Sequence, residues 1–165
     1  MNLSFPQPRP TPTRGKGLVV VAMSGGVDSS VAALLLQQQG YDMIGITMRL
    51  WTLERDDLPV SNRTCCSVEA VEDAARVSQI LGIPWYQMNF ERPFQRHVVD
   101  YFVEEYARGR TPHPCVACNQ HVKFDSLMEQ AVALGADYLA TGHYARIEAD
   151  GARHRLLRAV DPAKD

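Results

Sequence analysis

Two short segments of this 165-residue chain carry side chains whose types and spacing can do chemistry. The first is Ser24-Gly25-Gly26-Val27-Asp28-Ser29-Ser30. Two adjacent glycines let backbone N–H groups approach an anion closely, and an acid and two hydroxyls follow in what reads as the first turn of a helix. The second is Arg110-Thr111-Pro112-His113-Pro114-Cys115-Val116-Ala117-Cys118-Asn119, where two thiols stand three residues apart. A CxxC of this kind can hold a metal, cycle as a redox pair or present a nucleophile.

The elements that must position the first segment favour an anion. Residues 18–23, Leu-Val-Val-Val-Ala-Met, form a short, continuous apolar run rich in β-branched side chains, as expected of a parallel strand buried on both faces. The spacing then predicts a helix over 29–39, closed by Gly40. The glycine segment therefore lies between a buried strand and a helix start, where unpaired amides and the helix dipole attract phosphate. It has neither the lysine and spacing of GxxxxGK[ST] nor the pattern GxGxxG, which sets aside two common nucleotide loops. A plain strand-to-helix turn would explain one glycine, not this run. Taken alone, Asp28 reads as a charge at the positive end of the helix.

Further along, strands are expected at 43–50, 85–88 and 138–141. A helix with Ser67 as N-cap, and Glu69, Glu72 and Asp73 near its positive end, runs to Gly82. The spacing of Phe94, Val98, Phe102 and Tyr106 predicts a helix over 94–106, and another spans 124–134 before Gly135. Strands alternating with helices call for an α/β fold: a parallel sheet with right-handed crossovers and helices on both faces, in three layers. Residues 145–148 and 154–158 flank Asp150-Gly151, a hairpin signal. Residues 1–16, with Pro6, Pro8, Pro10 and Pro12, read as an extended, flexible leader. The expected division is then leader 1–16, nucleotide-binding catalytic domain 17–148, and hairpin with the start of a following region 149–165.

Composition narrows the class. With 17 Lys and Arg against 19 Asp and Glu, the net charge of −2 excludes a globally basic domain, so a nucleic-acid partner must be read from local sites. Four cysteines bunched as Cys65-Cys66 and Cys115/Cys118 are not the framework of a small secreted protein. No apolar run of about 18 residues occurs, and residues 1–16 lack a signal-peptide core, so the expectation is a cytoplasmic protein with no membrane association. Oligomeric state is left open.

The two prolines mark 110–119 as a loop, which places its cysteines outside the simple core. Zinc or an iron–sulfur cluster takes three or four ligands, no second CxxC follows, and the adjacent Cys65 and Cys66 are unusual ligand spacing. A thioredoxin-like pair would stand after the first strand, where the phosphate loop is. A nucleophile ranks first, a redox pair second and a metal third, with none closed off.

The run SGGVDSS at 24–30 resembles the signature of the PP-loop, or N-type ATP pyrophosphatase, superfamily. The segment 110–119 is similar to the TPNPCxxCN stretch of tRNA 2-thiouridylases. GITMRLW at 45–51, CCSVEAVEDA at 65–74, KF at 123–124, LGADYLATGHYAR at 134–146 and DPAKD at 161–165 match in order, so that nearly all of 17–165 is covered. The resemblance implies a Rossmann-like, adenine nucleotide alpha hydrolase-like domain. ATP would lie against Ala22, Met23, Ser24, Gly25, Gly26, Val27, Asp28 and Ser29, with Met48 and Gly142, and Mg²⁺ beside Asp28. As lone residues, Met48 reads as core and His143 as a structural histidine; the resemblance gives them ATP and tRNA instead.

It further implies ATP-dependent 2-thiolation of the tRNA wobble uridine. The uridine O2 attacks the α phosphate, pyrophosphate departs, and a cysteine persulfide delivers sulfur to C2 while AMP leaves. Cys118 would be the nucleophilic cysteine and Cys115 its catalytic neighbour. His113, Pro114 and Cys115 would meet the target uridine, and His143, Lys164 and Asp165 the rest of the tRNA. A donor protein would supply the persulfide. In the family the persulfide-bearing cysteine lies beyond DPAKD and forms a disulfide with the counterpart of Cys118. This chain is therefore expected to bind nucleotide without completing thiolation. Two positions depart from the pattern: His113 where Asn is usual, and Cys115 where many members have Asp. The second leaves substrate orientation, thiol chemistry and an iron–sulfur cluster open for Cys115. Another adenylating PP-loop enzyme, and a CxxC metal or redox module, are the competing readings.

Overall fold

The structure, a computed structural model, describes residues 15–51, 68–161 and 163. The expected Ser67 cap, Cys65, Cys66, Lys164, Asp165 and most of the leader lie outside these residues.

Strand β1 (Leu18–Ala22) lies inside the sheet, paired in parallel with β2 (Asp42–Arg49) on one side and β4 (Tyr138–Ala140) on the other. β2 in turn pairs in parallel with β3 (Trp85–Asn89), giving the order β3-β2-β1-β4. The uninterrupted valines follow from that position. Val19 and Val21 pack with Met23, Met43, Ala33 of helix α1 (Val27–Gln38) and Ala74 of helix α2 (Val68–Leu81). Val20 points to the opposite layer, among Ile44, Ile46, Val98, Val122 and Leu127. Each face of a central parallel strand must be apolar because each carries helices.

The second helical layer differs from its expected outline. The helix foreseen over 94–106 begins earlier and is compound: α3 (Glu91–Phe94), a π-helical turn at Gln95–Val99, then α4 (Asp100–Ala107). The helix foreseen over 124–134 starts at Pro114. It comprises α5 (Pro114–Ala117), a π-helical stretch at Cys118–Ser126 and α6 (Leu127–Ala133). The expectation of a loop across 110–119 thus holds for 110–113 and is corrected from Pro114 onward. Pro114 occupies the first turn, where a missing N–H breaks no intrahelical bond, so it opens a helix instead of preventing one. The π register has a cause in the buried positions. Cys118, Val122, Leu127 and Ala131 advance by four, five and four residues. A five-residue step leaves the face of a 3.6-residue helix but closes within a π turn, and the Leu127 N–H donates to the Val122 carbonyl five residues back.

Strands β5 (Arg146–Asp150) and β6 (Arg153–Leu157) form a separate antiparallel hairpin. Asp150 pairs with Arg153, so the turn is Gly151-Ala152, one residue later than foreseen, with Gly151 taking the positive φ of 62°.

Candidate functional site

The chain leaves β1 into α1 on one face of the sheet and reaches β4 from α6 on the other. The gap between the carboxyl ends of β1 and β4 is therefore a topological switch point, where connections diverge and leave a crevice. A cleft of about 190 Å³ opens there. Ala22, Met23 and Ser24 line it from β1 and the loop, Asp28 and Ser29 from the first turn of α1, Met48 from β2, and Gly142 and His143 from beyond β4. All eight were singled out in the sequence. Gly25, Gly26 and Val27 shape the loop without lining the cleft.

Close packing explains the glycines. Gly25 has φ 75°, and a Cβ there would stand 2.2 Å from the Ala70 carbonyl oxygen, so the loop is pressed on the first turn of α2. A Cβ on Gly142 would stand 2.7 Å from the Ser29 nitrogen, which brings the chain after β4 against the start of α1. Gly26 is the N-cap of α1 and makes no side-chain cap, so no capping side chain covers the amides of the first turn. The hydroxyls instead stitch the loop together. Ser29 Oγ donates to the Gly26 carbonyl at 3.1 Å, Ser30 Oγ donates to the same oxygen at 2.9 Å, and the Ser24 N–H donates to Ser29 Oγ at 3.3 Å. Ser29 is buried by this arrangement.

Asp28 adds a carboxylate to the positive end of α1, and the Tyr144 hydroxyl donates to its Oδ1 at 2.7 Å. Mg²⁺ is commonly held by one or two carboxylates together with substrate phosphates, and a single carboxylate beside the glycine loop fits the protein's share of that donor set. On the far wall, His143 Nδ1 lies 2.9 Å from Thr141 Oγ1, and its ring packs at 5.5 Å from Phe124. Partial burial, and then the charge of Lys123, hold the His143 imidazole below its ordinary pKa and toward the neutral form.

Three lining residues were not foreseen: Leu50, Lys123 and Thr141. Leu50 ends the run expected as the second strand, and Thr141 ends the one expected as the fourth. Lys123 stands in the KF segment, but nothing in its local sequence shows that a residue so distant from the loop faces the same cleft.

The cysteine segment lies apart from the cleft lining. Cys115 is exposed on α5, whereas Cys118, only 8% exposed, belongs to the core layer with Val98 and Val122. The expectation that both thiols stand outside the core is corrected for Cys118: once Pro114 starts a helix, the i, i+4 spacing to Val122 turns Cys118 inward. The Cys115 thiol is free. His113 is the exposed N-cap residue of α5, followed by Pro114 at the first turn. Among the described residues no group of three or more His, Cys, Asp or Glu could hold a metal ion, and Cys65 and Cys66 lie outside those residues. No described helix is long and apolar enough to cross a membrane.

Residues 17–165 match the family described as tRNA methyl transferase HUP domain. The chain is 55% identical over 152 residues to a tRNA-specific 2-thiouridylase MnmA of Clostridium perfringens, covering 91% of this chain and 42% of that protein. It is 57% identical over 151 residues to the MnmA of Geobacter metallireducens, covering 89% of this chain and 41% of that one. The chain thus spans about two fifths of the length of these curated relatives. A crystal structure described as a predicted subunit of tRNA methyltransferase from Methanocaldococcus jannaschii superposes with a TM-score of 0.51 at 23% identity, covering 78% of this chain and 53% of that one, a likeness of fold.

Proposed function

This chain belongs to the tRNA methyl transferase HUP domain family, and from that premise we propose that it is the ATP-binding part of a tRNA uridine 2-sulfurtransferase. The observation that carries the reading is the glycine loop at the β1/β4 switch point, whose helix-start amides, Asp28 and Gly142 surround one cleft. Relatives named as 2-thiouridylases supply the substrate class.

The chemistry explains why ATP is needed. The 2-carbonyl of uridine is amide-like, and its oxygen leaves only after conversion to a better leaving group. The first-turn amides of α1 hold the polyphosphate while O2 of the wobble uridine attacks the α phosphorus and the bond to pyrophosphate breaks. Mg²⁺, when bound, neutralises phosphate charge; Asp28 is the residue that would hold it. Sulfur from a cysteine persulfide then forms a bond to C2, and the C2–O2 bond breaks with departure of AMP. His113, Pro114 and Cys115 approach the base from the exposed start of α5, and His143, with Lys164 and Asp165, meets the tRNA.

The Cys118 thiolate then attacks the inner sulfur of that persulfide cysteine: a disulfide forms between the two cysteines, the sulfur–sulfur bond to the atom now on C2 breaks, and 2-thiouridine is released. A thiol 8% exposed is poorly placed for sulfur exchange with a partner, so that step requires a local opening that uncovers it. Residues 17–148 would act as the catalytic domain, in the cytoplasm, with the persulfide delivered by a donor protein.

The test is mass spectrometry of tRNA nucleosides after the full-length protein carrying this segment is incubated with Mg-ATP, a persulfide donor and unmodified tRNA. The expected product is 2-thiouridine, lost in Cys118→Ser. Product unchanged in Cys118→Ser would favour a different adenylating enzyme of the PP-loop type. Iron found in anaerobically purified protein that has no ATP affinity would favour a metal-binding module.

A further inference from the structure

The phosphate loop of this chain has no lysine of its own, yet its acidic residue faces the same cleft as the amides. Asp28 adds a negative charge where a triphosphate must bind, and burial and Lys123 hold His143 toward neutrality on the opposite wall. Among the described lining residues, the side chain with a permanent positive charge is Lys123. It comes from the π-helical stretch Cys118–Ser126, on the other side of the sheet from α1.

We propose that Lys123 is the phosphate-binding cation of this site, standing in from the opposite layer for the lysine that other nucleotide loops carry within the loop. The inference rests on the ATP reading given above and deepens it by assigning a residue to the polyphosphate. Three observations converge. Lys123 lines the cleft together with Ser24 and Asp28. Lys123 shares the cleft wall with His143, and its charge is the second cause, after burial, that holds that imidazole low. Its backbone is fixed on both sides: Val122 is fully buried before it, and the ring of Phe124 packs on His143 after it.

The π register matters to this geometry. Val122 and Leu127 are both fully buried, five residues apart, which the wider turn permits, and Lys123 between them lines the cleft. π turns inserted in helices are frequent at functional sites for this reason: they let one segment serve both the core and a ligand. A lysine is suited to the task because its flexible stem can follow a phosphate, acting as a point charge.

The test is calorimetric titration of the chain with ATP and with adenosine in Mg²⁺ buffer, for wild type, Lys123→Met and Lys123→Arg. Loss of one charge-assisted contact predicts ATP binding weakened about 10- to 100-fold in Lys123→Met, with adenosine changed less than about twofold and Lys123→Arg recovering most of the loss. As a second measurement on the unsubstituted protein, ATP is expected to shield Lys123 from acetylation, read by peptide mass spectrometry, and adenosine is not. Wild type that binds ATP, with Lys123→Met binding it equally well or with Lys123 unshielded, overturns the assignment while leaving the ATP reading intact. Equal loss of ATP and adenosine shows a structural role and also overturns it. Wild type that binds no ATP brings down both.

Discussion

The Tyr144 hydroxyl donates a 2.7 Å hydrogen bond to Asp28 Oδ1 across 116 residues of chain. It ties the segment leaving β4 to the first turn of α1 and fixes one oxygen of the carboxylate read as the Mg²⁺ ligand. Both groups are solvent-accessible, so the bond contributes little to folding; its consequence is orientation. Tyr144→Phe is expected to leave unfolding free energy within about 1 kcal/mol of wild type while weakening Mg²⁺-dependent ATP binding about tenfold. Titration of ATP at several Mg²⁺ concentrations checks this, and unchanged Mg²⁺ dependence would remove Tyr144 from any positioning role.

Glycine substitutions should separate backbone strain from collision. Gly25 and Gly40 both have positive φ, at 75° and 85°, but a Cβ at Gly25 meets the Ala70 backbone at 2.2 Å whereas one at Gly40 meets nothing within 4 Å. Gly40→Ala is expected to cost about 1–2 kcal/mol from strain alone, and Gly25→Ala more than about 3 kcal/mol, because α2 must shift as well. Urea unfolding of the two variants measures the difference. Equal costs would mean that the loop and α2 are not in contact.

The two thiols of the CxxC should react at different rates. Cys115 is exposed and Cys118 is packed in the core, so iodoacetamide should label Cys115 at least about tenfold faster in the native protein, with the rates converging in denaturant. Peptide mapping distinguishes the sites. Rapid native labelling of Cys118 would show that the packing around it opens without substrate.

His143 gives a pH signature. Partial burial and Lys123 depress its folded-state pKa below that of the unfolded chain. The unfolded state therefore takes up the proton first as pH falls, and the contribution of neutral His143 is complete above the ordinary imidazole pKa and lost as pH drops through the lower folded value. NMR titration of the imidazole should show a midpoint below the ordinary histidine value, moving upward in Lys123→Met because the second cause is removed. A midpoint at or above that value in wild type would contradict the environment described.

The elements legible in the sequence were those set by neighbours in the chain. The valine run of 18–23 announces a strand covered on both faces, and SGGVDSS between it and a helix announces an anion cradle, because both signals follow from local periodicity and glycine geometry. The parallel α/β fold followed from the alternation. Local rules misjudged Pro114, which opens a helix where two prolines suggested a loop, and with it Cys118, which became core. The π register was also hidden, since its cause is the requirement that Val122 and Leu127 both reach the sheet.

The amino-acid order alone thus determined the sheet, the glycine loop after its first strand and the residues bearing reactive groups. Which of those groups meet was decided by the tertiary structure. The switch point brings Asp28 to Tyr144 and places Lys123 and His143 on the same cleft as Ser24, because strand order, unlike helix or strand periodicity, is a relation between distant parts of the chain.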